Sequence, residues 1–142
     1  MVDVAVVQRK LSQLDTYLQQ VNEFSTITLE QYQGEWKIQR IVERTLQMMI
    51  ETCVDIANHL ISDRGMRSPT SYADTFQILK ENAIVNESLH DSLEKMAKFR
   101  DIVVHQYEGV DAGIVLTILK NHLVDFGRFR DAVLVYLGSA KT

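Results

Sequence analysis

Apolar residues recur along this chain at helical spacing almost from end to end. Val4, Val7, Leu11, Leu14, Leu18 and Val21 alternate steps of three and four. That is a helix with one narrow apolar seam, polar on its other faces and therefore lying on a surface. Phe24 closes it. Ser25 to Thr28 breaks the pattern, and Thr28 with Gln31 predicts a capping box at a new helix start. Gly34 weakens the first turns, so a short lead-in helix is expected to bend there. From Glu35 to Ile61 the stripe is wide: Ile38, Ile41, Val42, Leu46, Met49, Ile50, Cys53, Ala57, Leu60 and Ile61, with Val54 and Ile56 broadening it. This segment is expected to be the central, most buried helix, ended by Ser62-Asp63-Arg64-Gly65 with Gly65 past its C-cap.

Pro69 fixes a loop. Ser71 then caps a short helix carrying Tyr72, Phe76, Ile78 and Leu79, which stops at Asn82-Ala83. Asn86 caps the next, with Leu89, Leu93, Met96, Ala97 and Phe99. That helix continues through Ile102, Val103 and Val104 and is expected to end between His105 and Gly109. Asp111 caps a last long helix holding Ile114, Val115, Ile118, Leu119, Leu123, Phe126, Phe129, Val133, Leu134 and Leu137. Strand alternation is absent over any useful length. The expected fold class is all-α: an antiparallel bundle of about five helices with short connections.

Length supports one domain, read as residues 1–142. The composition is 46% hydrophobic and 24% charged, with one Pro and six Gly, an ordinary balance rich in helix and poor in turns. Cys53 is the lone cysteine, so no internal disulfide and no two-cysteine metal motif can form. No basic segment followed by an apolar one opens the chain, and no run of about 18 apolar residues occurs. A cytoplasmic location without membrane association is the expectation. The formal net charge of −4 argues against wide, unspecific nucleic-acid binding but leaves room for a small basic site holding one or two phosphates.

Candidate chemistry lies in the helix after Asn86. Arg100 and His105 stand among Phe99, Ile102, Val103 and Val104. A guanidinium is always charged and its planar fork suits a phosphate. An imidazole gives or takes a proton near neutral pH. Together they can cleave a phosphodiester that has a neighbouring hydroxyl as nucleophile, which RNA supplies as its 2′-OH, without need of metal or cofactor. Five helical steps put the two side chains about 140° apart on a straight helix. Either the helix loosens or ends near His105, or two copies juxtapose their motifs across a two-fold axis, and both effects are expected. As plain structural residues, Arg100 is an ion-pair partner of Asp101 or Glu94, His105 a helix-end residue favoured by the macrodipole, and Tyr107 an amphipathic edge residue.

Other residues carry less. Lys95, Lys98 and Arg100 form one basic stretch and Lys37, Arg40 and Arg44 another; if the helices pack, these could flank an RNA or ATP phosphate. Arg44 has the most weight because its helix is strongly apolar-periodic. Glu51 is either a buried acid that orients a motif residue or an edge residue paired with a cation. Glu87-x-x-His90 is a single copy of a motif that a di-metal bundle needs twice, and Asp55 with His59 offers only two ligands, so no metal site is expected.

Arg100, four residues, His105, one residue, Tyr107: this order resembles the signature of the HepT-like proteins of the HEPN class. Arg40-Ile41-Val42-Glu43-Arg44 through Glu51, then Asp55-Ile56-Ala57-Asn58-His59-Leu60, is similar to the family's long second helix. Pro69 with Ser71-Tyr72, the Phe76 to Leu79 helix and the Tyr107-Glu108 to Asp111 junction match as well, so the resemblance covers most of the chain. It implies a homodimeric, metal-independent endoribonuclease toxin, with Arg100 and His105 catalytic. It also implies a partner, a nucleotidyltransferase antitoxin of the MntA type, which transfers AMP to Tyr107 and so blocks the cleft. The residue after the motif arginine is often Asn in the family and is Asp101 here. An acid there lowers the local positive potential and can orient Arg100 or His105. The rival expectation is a non-catalytic HEPN module that binds nucleotide or docks a nucleotidyltransferase; a purely structural bundle is the third.

Overall fold

The computed structural model describes residues 3–106 and 109–140. Helices α1 (Val4–Asn22), α2 (Leu29–Gln33), α3 (Trp36–Asp63), α4 (Tyr72–Glu81), α5 (Glu87–His105), α6 (Ala112–Thr117) and α7 (Leu123–Ala140) follow one another, with a π-helical turn over Ile118–His122. No strand occurs among the described residues, and none of their helices is long and apolar enough to cross a membrane.

Short-range capping sets the helix starts. The Asp3 carboxylate accepts from the Val6 N–H, and Ser71 and Asn86 accept from the Asp74 and Leu89 N–H groups. Thr28 and Gln31 form the reciprocal capping box that their spacing predicted. The helix ends are equally local. α3 closes in a Schellman motif: Gly65, at φ 62°, and Met66 donate to Ser62 and Ile61. α4 closes the same way, but Ala83 occupies the left-handed position at φ 58°.

α3 is the axis of the bundle and packs against α1, α2, α4 and α5; α7 closes the bundle against α1 and α5. Its buried face includes Val42, Leu46, Met49, Ile50, Cys53, Ile56, Ala57 and Leu60. α1 adds Val7, Leu11, Leu14 and Val21 from its single seam. Phe76 of α4 meets Phe129 of α7 edge to face, with centroids 6.1 Å apart.

Two expectations need correction. Ile41, placed on the core stripe of α3, is 50% exposed, and Ile114 and Leu134 of the last helix are 45% and 46% exposed. Each sits at an edge of its stripe, Ile114 on the open groove that separates α6 from α5. The last helix is not uniform: the π turn inserts between α6 and α7 and rotates everything after it relative to the start. Lys120 of that turn donates to the Ile27 carbonyl at 3.0 Å, tying it to the connection before α2. The motif helix ends where the sequence placed its end, α5 stopping at His105 without loosening before it. It stays helical through that residue, and the chain leaves the helix only at Gln106, at φ −101° and ψ 107°.

Candidate active site around Arg100

Arg100 projects from the inner edge of α5 towards α3 and the start of α4. Its Nε donates to Glu51 Oε2 at 3.0 Å, and its second guanidinium nitrogen stands 2.9 Å from the same oxygen. The remaining nitrogen donates to Asp101 Oδ1 at 3.3 Å. The Tyr72 ring lies under the guanidinium plane, 4.4 Å from centroid to Cζ. Gln47, one turn before Glu51, donates to the same carboxylate oxygen at 3.3 Å.

This cluster is half-buried: the Arg100 side chain keeps 18% of its exposure and Glu51 29%. Partial burial pulls the guanidinium pKa down, but the Glu51 hydrogen bond, the nearby Tyr72 and Glu51 groups and the Asp101 hydrogen bond outweigh it and hold the value above normal. Arg100 is therefore a fixed, permanent cation, gripped on one edge and stacked on one face.

His105 is the last residue of α5 and is exposed. Because α5 is regular between Arg100 and His105, their separation of about 140° around the axis persists. One copy of the chain does not aim both at one small phosphate. Asp101 is exposed and turned to Arg100. Arg44 is exposed, two turns before Glu51 on α3. Tyr107 lies outside the described residues.

Two features escaped sequence reasoning as site components. Tyr72 stands in the sequence as part of the short α4 pattern and of the Pro69, Ser71-Tyr72 resemblance, with no role at the site, yet it is the platform for Arg100. Asp125, buried at 3% exposure, accepts from Arg128 at 2.8 Å and lies 3.0 Å from His122 Nδ1. Their i, i+3 spacing was available but lay inside an apolar run. A groove of about 520 Å³ separates α5 from α6 and the π turn; Lys95, Met96, Phe99, Ile114 and His122 line it. Neither Arg100 nor His105 does. Among the described residues no three His, Cys, Asp or Glu side chains converge as metal ligands. His90 is buried, with its ring nitrogens 3.4 Å from Asp91 and Glu94 but in no hydrogen-bonding geometry.

Comparison with known proteins places this arrangement. Residues 14–133 match the family described as ribonuclease HepT-like. An mRNA nuclease HepT from Shewanella oneidensis is 35% identical over 103 residues, covering 72% of this chain and 77% of that protein. A tRNA nuclease HepT from Aphanizomenon flos-aquae is 24% identical over 138 residues, covering 96% and 92%. Among solved structures, a toxin–antitoxin complex with AMP-PNP superimposes at TM-score 0.86 and 27% identity, covering 92% of this chain and 98% of the other. A tri-AMPylated Shewanella oneidensis HEPN toxin bound to its MNT antitoxin gives 0.85 and 29%, covering 95% and 99%. With the family match running over residues 14–133, from within α1 to within α7, this chain belongs to the HepT-like ribonuclease family.

Proposed function

We propose that the chain, folded as one HEPN-like domain over residues 1–142, is an endoribonuclease toxin that works as a homodimer on RNA. The observation that carries this reading is the clamped guanidinium of Arg100, a permanent cation held in one orientation five residues before an exposed His105. In the reaction, the RNA 2′-oxygen forms a bond to the adjacent phosphorus and the bond to the 5′-oxygen breaks. The 2′-OH proton passes to a base and the leaving 5′-oxygen receives one. His105 serves as the proton carrier, and Arg100 stabilises the charge that builds on the phosphoryl oxygens. The products are a 2′,3′-cyclic phosphate and a 5′-OH, and the chemistry requires no metal.

A regular α5 makes the dimer part of the mechanism. Two motifs related by a two-fold axis bring Arg100 and His105 of different copies into one cleft, which the separation around a single helix denies. For control, a nucleotidyltransferase antitoxin of the MntA type transfers AMP to Tyr107. The added phosphate charge and nucleoside, two residues from His105, close the cleft to RNA. Asp101 and Glu51 support the site by holding Arg100, and Arg44 supplies positive potential beside it.

The test is RNA cleavage by the purified chain in excess chelator, with the product ends identified. Cyclic phosphate ends are expected; intact RNA, or 3′-OH ends, would remove the proposal. One observation favours a non-catalytic, nucleotide- or partner-binding HEPN module instead: two carboxylates already occupy the guanidinium. That reading predicts AMP transfer or partner binding with no cleavage.

A further inference from the structure

Outside the Arg100 cluster, the exposed face of α3 concentrates positive charge in a chain whose formal charge is −4. Trp36, Lys37, Arg40 and Arg44 fall, with Gln47 and Glu51, within a sector of about 100° around the helix. Trp36 is 63% exposed, and Lys37, Arg40 and Arg44 are exposed too. Lys37 Nζ lies 5.9 Å from the Trp36 ring centroid, so cation and indole form one surface. The stripe is continuous with the site: Arg44 precedes Glu51 by about 10 Å of helix rise, Gln47 binds Glu51 between them, and Glu51 grips Arg100. Trp36 stands about 22 Å from Glu51 along the same axis. The acids Glu35 and Glu43 lie off this sector, and Glu43 is half-buried near Tyr32 and Arg40.

An exposed indole has no structural reason to sit in water, and a line of cations beside it fits one kind of partner. Single-stranded nucleic acid offers phosphates at intervals and unpaired bases that stack on aromatic rings. A two-fold contact centred on this stripe would instead set Lys37, Arg40 and Arg44 against their own copies, like charge on like. We infer that the exposed face of α3 is a lane that carries single-stranded RNA to Arg100, with phosphates on Lys37, Arg40 and Arg44 and a base stacked on Trp36. The inference rests on the reading of RNA as substrate and deepens it: the enzyme holds its RNA well away from the cut.

Trp36 is the single tryptophan, so intrinsic fluorescence reports this place alone. The His105→Ala chain, which leaves RNA whole, is titrated with a short unstructured RNA. Saturable quenching is expected. The double variant Lys37→Glu/Arg40→Glu, both exposed changes that leave the melting temperature unmoved, should weaken binding about tenfold. It should also flatten the log affinity against log salt slope by about 1.4, near 0.7 per lost cation on a single strand. In the cleaving chain the same pair should raise KM for long RNA without lowering kcat, and leave a dinucleotide substrate unaffected. If RNA is cut but the charge reversals move neither KM nor the Trp36 emission, the lane is wrong and the nuclease reading stands. If RNA is not cut yet quenches Trp36 in a way the reversals abolish, the lane stands and the nuclease reading falls. If emission follows protein concentration and ignores RNA, the face is covered by a second copy and the inference is overturned.

Discussion

Glu51 of α3 receives two nitrogens of Arg100 from α5 on one carboxylate oxygen, at 3.0 and 2.9 Å, across 49 residues of sequence. The contact joins the central helix to the motif helix and leaves the guanidinium free to turn only within narrow limits. On the proposed function, Glu51 is a positioning residue that acts through Arg100. Glu51→Ala should lower kcat roughly ten- to a hundredfold, the scale of a misplaced catalytic group, with KM for a dinucleotide little changed. Glu51→Gln, which keeps an acceptor, should recover most of that loss. A purely structural contact would lower the melting temperature in both variants and leave kcat per folded molecule alone.

Core placement on α3 is tested by two residues of similar chemistry. Leu46 is fully buried and Ile41 is half in water. Leu46→Ala should cost about 2–5 kcal/mol in denaturant unfolding, while Ile41→Ala should stay within about 0.5 kcal/mol. Equal costs would contradict the orientation of the helix.

Ala83 ends α4 in the left-handed region that glycine adopts freely. Its N–H still donates to Lys80 at 3.0 Å, so the motif is complete and only the Cβ is out of place. Ala83→Gly should raise stability by about 0.5–1 kcal/mol, even after the entropy a glycine adds to the unfolded chain. A fall in melting temperature would show that Cβ is tolerated without strain.

Regulation is read most simply by mass. Expressed with a nucleotidyltransferase of the antitoxin type, the chain should gain whole AMP units, and Tyr107→Phe should gain none while still cutting RNA. AMP on the Tyr107→Phe chain would show that another residue is the acceptor.

Much of the fold was legible because helix starts are written in local chemistry. Thr28 with Gln31, Ser71, Asn86 and Asp111 each satisfy backbone donors two or three residues ahead, and no distant contact is needed to find them. Ile41 was misread because periodicity marks a stripe but not which edge of it meets a neighbour. The π turn at Ile118–His122 keeps the apolar spacing on both sides and leaves no local mark. Of the candidate site, Arg100 stands out in the sequence by residue type and spacing. Glu51 stood as one of two alternatives, since its partner is remote in sequence. The stack of Tyr72 on Arg100 joins residues of two helices and could be seen only once they had packed.

The central claim is that Arg100 and His105 cut RNA. The direct measurement is the single-turnover cleavage rate of a labelled single-stranded RNA in chelator, for wild type, Arg100→Ala and His105→Ala, each checked for an unchanged helical melt. Cleavage by the wild type and a loss of at least about a hundredfold in His105→Ala, on the scale of a removed general acid or base, with a comparable loss in Arg100→Ala, is the predicted result. Folded variants that cut as fast as the wild type would contradict it.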